Sequence, residues 1–209
     1  MRKFSSSILY CSKGLVHPTI WARVALKQLL RQAAYPINTI HHLSFDQWLQ
    51  DHSPKLIVLY FHEKKITQPD LLTLHDYVAT GGSLLAIHSA SASFKTNPDY
   101  HSLLGGRFIA HGSIKEYRIY TNKNHPHLKD VLPETYVIKD ELYRHEVQED
   151  IIIVQETIVD GQNEPVSWLK QLGKGRIAYF APGHRAAVFS IPPVRRTILQ
   201  LVEWCMTDG

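Results

Sequence analysis

An α/β fold, built on a parallel sheet with flanking helices and an added antiparallel β segment, is what this 209-residue sequence predicts. Three observations carry the prediction. In the first half, short aliphatic or β-branched runs alternate with helix-period patterns, the mark of successive β-α-β units. Those runs are continuously apolar, as strands covered on both faces require. In the second half, strand-like runs follow one another across turns more often than helices, which reads as antiparallel pairing.

The first strand falls on residues 8–11. Pro18 opens the helix after it, at a position where a missing N–H costs nothing, and Trp21, Val24, Ala25 and Leu29 keep one face apolar. Residues 37–40 supply a second strand, residues 46–51 a short helix, and residues 56–61 a third strand. The next helix begins near Pro69 and repeats Leu71, Leu74, His75 and Val78 at helical spacing. It stops at Gly81 and Gly82, where a left-handed cap suits glycine, and feeds a fourth strand over residues 84–88. Beyond it, residues 117–120, 136–138, 151–154 and 177–180 read as strands. Gly173 and Gly175, ahead of the last of these, are most simply explained as a hairpin turn. A final helix starts after Pro192 and Pro193 and carries Ile198, Leu201, Val202 and Cys205 on one face, so it should pack back onto the sheet. No internal repeat and no linker-like stretch interrupts the chain, and one domain over residues 1–209 is expected.

Composition narrows the class. At 44% apolar and 20% charged, with 11 Gly and 11 Pro, the chain is neither disordered nor collagenous. Its 23 basic and 19 acidic side chains leave a formal charge of +4, but the Lys and Arg are scattered, so nucleic acid is not an expected partner. The longest apolar run, residues 56–61, is far short of the roughly 20 residues that span a bilayer, and no membrane partner is expected. The apolar stretch behind Met1, Arg2 and Lys3 is shorter than the roughly 7 to 15 residues of a signal peptide, so a cytoplasmic location is the expectation. Cys11 and Cys205 show neither CxxC nor metal spacing, which fits a reducing compartment.

Histidine is the unusual component, with 13 residues. In open α/β sheets ligands bind beyond the carboxyl ends of the strands, and there the sequence sets His17, His62, His88 and His184. Each alone is a loop or cap histidine; four at one sheet edge point to acid, base or ligand chemistry. His88 stands out, because Ala86 and Ala90 flank it at two positions either side. A nucleophile elbow needs such small neighbours, since the strand turns sharply and forces the central side chain outward. Near it in sequence, Gly105 and Gly106 suit a tight turn presenting Arg107, with His111 beyond, to an oxygen-rich substrate; Arg107 serves equally as a surface cation. Glu141, in the run Asp140, Glu141, Leu142, Tyr143, follows a strand and can be an acid, a base or a metal ligand; an exposed loop carboxylate is the plainer reading.

Taken in order, Gly81-Gly82, Ala86-Ile87-His88-Ser89-Ala90, Leu103 to Phe108, His111, Asp140 to Tyr143, Pro165 with Trp168, Gly173 to Arg176 and Gly183-His184 resemble the ThuA-like, trehalose utilisation family. His17-Pro18 resembles that family's early histidine, and the likeness covers most of the chain. The resemblance implies a flavodoxin-like sheet of the class I glutamine amidotransferase-like superfamily. In the amidotransferases a Cys occupies the elbow and a His-x-Glu follows a late strand. Here the elbow holds His88, and two residues beyond His184 stands Ala186, so hydrolysis of glutamine by a thiolate is disfavoured twice.

What the resemblance implies instead is carbohydrate metabolism, with a keto-sugar or disaccharide derivative as the small-molecule partner. His88, Glu141 and His184 are the candidate catalytic residues, and His17, Ser89, Arg107, His111, Tyr143 and Arg185 the candidate substrate-binding ones. Two chemistries fit. In one, His88 or His184 removes a carbon-bound proton beside the carbonyl while Glu141 or Arg107 stabilises the enediolate oxygen, giving isomerisation or elimination. In the other, three side chains drawn from His88, His184 and Glu141, with His17 and His111 as further candidates, hold a divalent metal such as zinc, which polarises the carbonyl or activates water, with an isomerase, lyase or hydrolase as the outcome. A non-catalytic carbohydrate-binding or regulatory protein is the alternative, and a homo-oligomer is compatible with the fold.

Overall fold

A computed structural model describes residues 3–14, 17–42, 44–123, 128 and 130–207, excepting the side chain of Asp51. The predicted strands are present, mostly longer than their apolar cores: β1 (Ser5–Lys13), β2 (Ile37–Ile40), β3 (Pro54–Phe61) and β4 (Ser83–Ile87). Between them lie α1 (Ile20–Leu30), α2 (Phe45–Asp51) and α3 (Gln68–Ala79). Pro18 does not open α1: Thr19 is the N-cap, its hydroxyl accepting from the Ala22 N–H, and the proline sits one residue outside. For α3 the cap is Thr67, which accepts from the Asp70 N–H and leaves Pro69 in the first turn, where a missing donor is harmless.

Further on come α4 (Pro98–Leu104), β5 (Gly106–His111), β6 (Lys115–Thr121), β7 (Thr135–Asp140), β8 (Tyr143–Val147), β9 (Ile151–Val159), β10 (Gln162–Leu172), β11 (Gly175–Phe180) and α5 (Pro192–Met206). Sequence patterning missed α4, β5, β8 and β10. β10 carries Pro165 at a register shift against β9, and a bulge of that kind erases the alternation that marks a strand. The Gly173 hairpin is as expected, with Leu172 and Gly175 paired across a two-residue turn between β10 and β11.

The main sheet runs β2-β1-β3-β4-β11-β10-β9-β6-β7, and β5 pairs with β8 in a separate ribbon. Its first five strands are parallel, in the order of a flavodoxin-like sheet. They are sealed by α5, whose Val194, Ile198, Leu201 and Val202 are fully buried. From β11 to β7 each neighbouring pair is antiparallel. Four reversals leave β7 running the same way as β11. The carboxyl ends of β1, β3, β4, β11 and β7 therefore share one edge, which delivers His17, His62, His88, His184 and Glu141 together. No helix among the described residues is long and apolar enough to cross a membrane.

Candidate functional site

The elbow predicted at His88 is present. Leaving β4, the backbone turns at His88 with φ of +45°, a left-handed conformation that costs a non-glycine residue of order 1–3 kcal/mol. Three donors on one carbonyl hold it there: the Tyr179 hydroxyl at 3.0 Å, and the Ser91 hydroxyl and amide at 3.2 Å each reach His88 O. The ring is fully buried, and Nδ1 lies 2.8 Å from the Ala181 carbonyl. A carbonyl only accepts, so Nδ1 carries the proton and Nε2 presents a lone pair. That Nε2 is buried and has no hydrogen-bond partner.

His184 is positioned through its backbone. The buried Asp140 carboxylate accepts from the N–H groups of Gly183, at 2.7 Å, and His184, at 3.1 Å, pinning the turn after β11. Gly183 has φ of +150°, and a Cβ there would lie 3.1 Å from the His88 Cβ, so only glycine lets the two histidine-bearing segments come this close. His184 Nδ1 approaches Glu141 Oε2 to 3.0 Å without the alignment of a hydrogen bond. Glu141 also lies 3.8 Å from His88 Nε2 and, through Oε1, 3.6 Å from His111 Nδ1. His17 completes the group: its ring centroid is 5.2 Å from that of His88, 5.0 Å from His184 and 5.4 Å from His62. Ring nitrogens of His17, His88 and His184 lie within 4.8 Å of one another.

The β5-β8 ribbon covers this cluster, with His111 opposite Tyr143 in its register. Tyr143 lays its ring 4.1 Å from that of His88 and sets its hydroxyl 3.2 Å from His17 Nε2. His145, two residues along the same face, is half-buried beneath it and meets the Ser91 and Tyr179 hydroxyls at 3.1 Å each. Burial, and then the neighbouring His184 and His62, pull the His17 imidazole down to about 4. Burial, with His17 beside it, holds His88 well below its ordinary range. Both rings are neutral at pH 7; the His88 Nε2 lone pair is free, and His17 Nε2 meets the Tyr143 hydroxyl. Burial, and then the Glu141 carboxylate, push the Tyr143 phenol up, so it stays a proton donor in hydrogen bonds.

Of the residues singled out from sequence, His17, His88, Glu141, Tyr143 and His184 meet, with His111 at the rim. Arg107 does not join them. Phe108 faces Tyr143 at 4.6 Å, and its neighbour Arg107 points to the other side of the strand, where it pairs with Glu146 at 2.7 Å. The glycines before it cap α4 and pack on Trp168 instead of presenting a cation to a ligand. Arg185 donates to the Lys139 carbonyl, and Ser89 is enclosed with its hydroxyl unpartnered. Among the described contacts, none of these three touches the cluster. The anchoring role of Asp140 went unread, although a signal exists: Tyr136, Ile138 and Asp140 alternate inward along β7 while Val137 and Lys139 point out. A cleft of about 410 Å³ between α3, α4 and β10 lies away from this chemistry, and its Lys170 is already paired with Asp150, Gln148 and the Ser102 carbonyl.

Comparison with solved structures finds the same fold in proteins of low sequence identity. A ThuA-like protein from Parabacteroides merdae ATCC 43184 superposes with a TM-score of 0.82 at 20% identity, over 96% of this chain and 90% of its own. A ThuA-like protein from Bacteroides uniformis ATCC 8492 gives 0.79 at 14% identity, over 98% and 93%. A cytoplasmic protein from Salmonella typhimurium gives 0.65 at 14%, over 95% and 98%. A search of curated proteins finds no match. The family model for ThuA, trehalose utilisation, matches residues 7–205, and with its glutamine amidotransferase-like fold the chain belongs to the ThuA family.

Proposed function

We propose that this chain is an enzyme of carbohydrate metabolism that moves a proton at the carbon beside the carbonyl of a keto-sugar or keto-disaccharide derivative. Membership of the trehalose utilisation family supports the substrate class. The observation that carries the chemistry is the convergence of Glu141 on His184, His88 and His111 at 3.0, 3.8 and 3.6 Å. Glu141 is the proton-transferring group. It takes the proton of the C–H bond as the electron pair moves to the carbonyl oxygen, and returns it to the former carbonyl carbon for isomerisation, while the hydroxyl proton of the first carbon passes to the former carbonyl oxygen. Tyr143 donates a hydrogen bond from its hydroxyl to a sugar oxygen, and the histidine cluster faces the oxygen that becomes negative.

This reading revises the sequence-based roles, because His88 is buried and fixed by Ala181 while Glu141 stands at the centre. Carbohydrate can be bound with amides, hydroxyls and aromatic stacking alone, so ionisable groups with unpartnered buried atoms favour catalysis over a binding module. A cytoplasmic location belongs to the reading, supported by the neighbour described as a cytoplasmic protein. The test is a panel of keto-sugars and keto-disaccharides followed by proton NMR with the parent protein and Glu141→Gln. Turnover by the parent and its loss in the variant are expected. Equal turnover in both removes Glu141 from the mechanism.

A further inference from the structure

We propose that His17, His88 and His184 together hold one divalent transition-metal ion, zinc or a chemical neighbour, with Glu141 bordering a fourth, open position. The inference takes the centre of the proposed function as its starting point and adds the ion that polarises the substrate oxygen there. Four observations carry it.

The three imidazoles come from the carboxyl ends of three different strands, and each aims a ring nitrogen into the same space, within 4.8 Å of one another. Zinc bonds of about 2.0–2.1 Å in a tetrahedral array put neighbouring ligand atoms about 3.3 Å apart, so closure asks less than about 1 Å of each nitrogen. Second, His88 Nε2 is fully buried and unpartnered, an arrangement that costs free energy unless something occupies its lone pair. Third, the hydrogen bond from His88 Nδ1 to the Ala181 carbonyl fixes the tautomer that leaves Nε2 as a ligand, as the outer partners of metal-binding histidines do. Fourth, His184 Nδ1 and Glu141 Oε2 stand 3.0 Å apart without a hydrogen bond, as two groups do when both face a third partner. Imidazole ligands select zinc, copper, iron or nickel over calcium and magnesium. Imidazole ligands bring no negative charge and leave the ion its full charge, which acts on a carbonyl oxygen or a water at the open position while Glu141 beside it moves the proton.

The test is zinc titration of chelator-stripped protein by calorimetry, with elemental analysis, on the parent and on His17→Ala, His88→Ala, His184→Ala and Glu141→Gln. One ion per chain is expected, weakened at least about 100-fold by each histidine substitution and within about tenfold of the parent in Glu141→Gln. His88 is enclosed, so the less buried His17 and His184 decide the outcome if the His88 variant does not fold, with circular dichroism as the check. Absence of stoichiometric binding, or parent-like affinity in folded His17→Ala and His184→Ala, overturns the inference. Ion affinity is read without sugar. Stripped protein that processes a keto-sugar at the full rate refutes the ion's role and leaves the proposed function standing. An ion bound as expected, with no sugar processed, supports the site and removes the keto-sugar reading.

Discussion

Replacing Asp140 with alanine removes the group that fixes the His184 turn, and the structure sets the size of the effect. The carboxylate accepts two backbone N–H bonds, at 2.7 and 3.1 Å, in a fully buried position. Hydrogen bonds to a charged group contribute about 1.5–3 kcal/mol each, a gross loss of about 3–6 kcal/mol. Burial opposes this, since it raises the Asp140 pKa and so makes the carboxylate itself costly to hold. The expected net destabilisation is about 2–4 kcal/mol, measured by urea unfolding with unchanged slope. Asp140→Asn keeps one neutral acceptor and should lose about half as much. Both variants let His184 drift, so zinc affinity falls with stability. An Asp140→Ala protein within about 0.5 kcal/mol of the parent, with zinc affinity unchanged, would refute the anchoring role.

Other consequences follow from the same geometry. Tyr179→Phe removes the hydroxyl shared by the His88 carbonyl, Ser91 and His145, and should cost about 1–2 kcal/mol in urea unfolding; a cost near zero would mean that Ser91 alone holds the elbow. Gly183→Ala forces a Cβ to 3.1 Å from the His88 Cβ at φ of +150°, and zinc calorimetry should show weakened binding in a protein that still folds. Burial pulls His145 down to about 3, whereas the unfolded chain takes up that proton near its ordinary value of about 6.5. The stability carried by the neutral ring is complete above about pH 6.5 and is lost as pH falls toward 3, at up to about 1.4 kcal/mol per pH unit. Urea midpoints between about pH 7.5 and pH 4.5 should fall less steeply in His145→Gln, and an unchanged pH slope would count against a neutral His145.

The parallel half of the fold was legible because β1, β3 and β4 are buried on both faces and so appear as unbroken apolar runs. The site was legible at His88 for a related reason: a sharp turn at a strand end demands small flanking residues, and alanines at 86 and 90 leave that mark. The ribbon left no such mark. Arg107, Phe108, His145 and Glu146 mix charge with aromatic bulk, because one face packs on His88 and Tyr179 while the other meets solvent. Nor could spacing reveal how Glu141 comes to the histidines, since that follows from four antiparallel reversals between β11 and β7. The choice left open for Arg107 falls to the surface cation for a local reason. A cation after two glycines suits a ligand, but one step along a strand reverses the face, and Phe108 took the inward side.

The claim that this centre moves a carbon-bound proton is tested most directly by exchange in heavy water. A keto-disaccharide incubated with the protein in D2O should lose the proton NMR signal of the carbon beside its carbonyl at a rate set by the parent enzyme. The same signal should persist at the uncatalysed rate with Glu141→Gln. Exchange at equal rates with both proteins, or products formed by the parent in which that carbon keeps its original proton, would contradict proton transfer by Glu141.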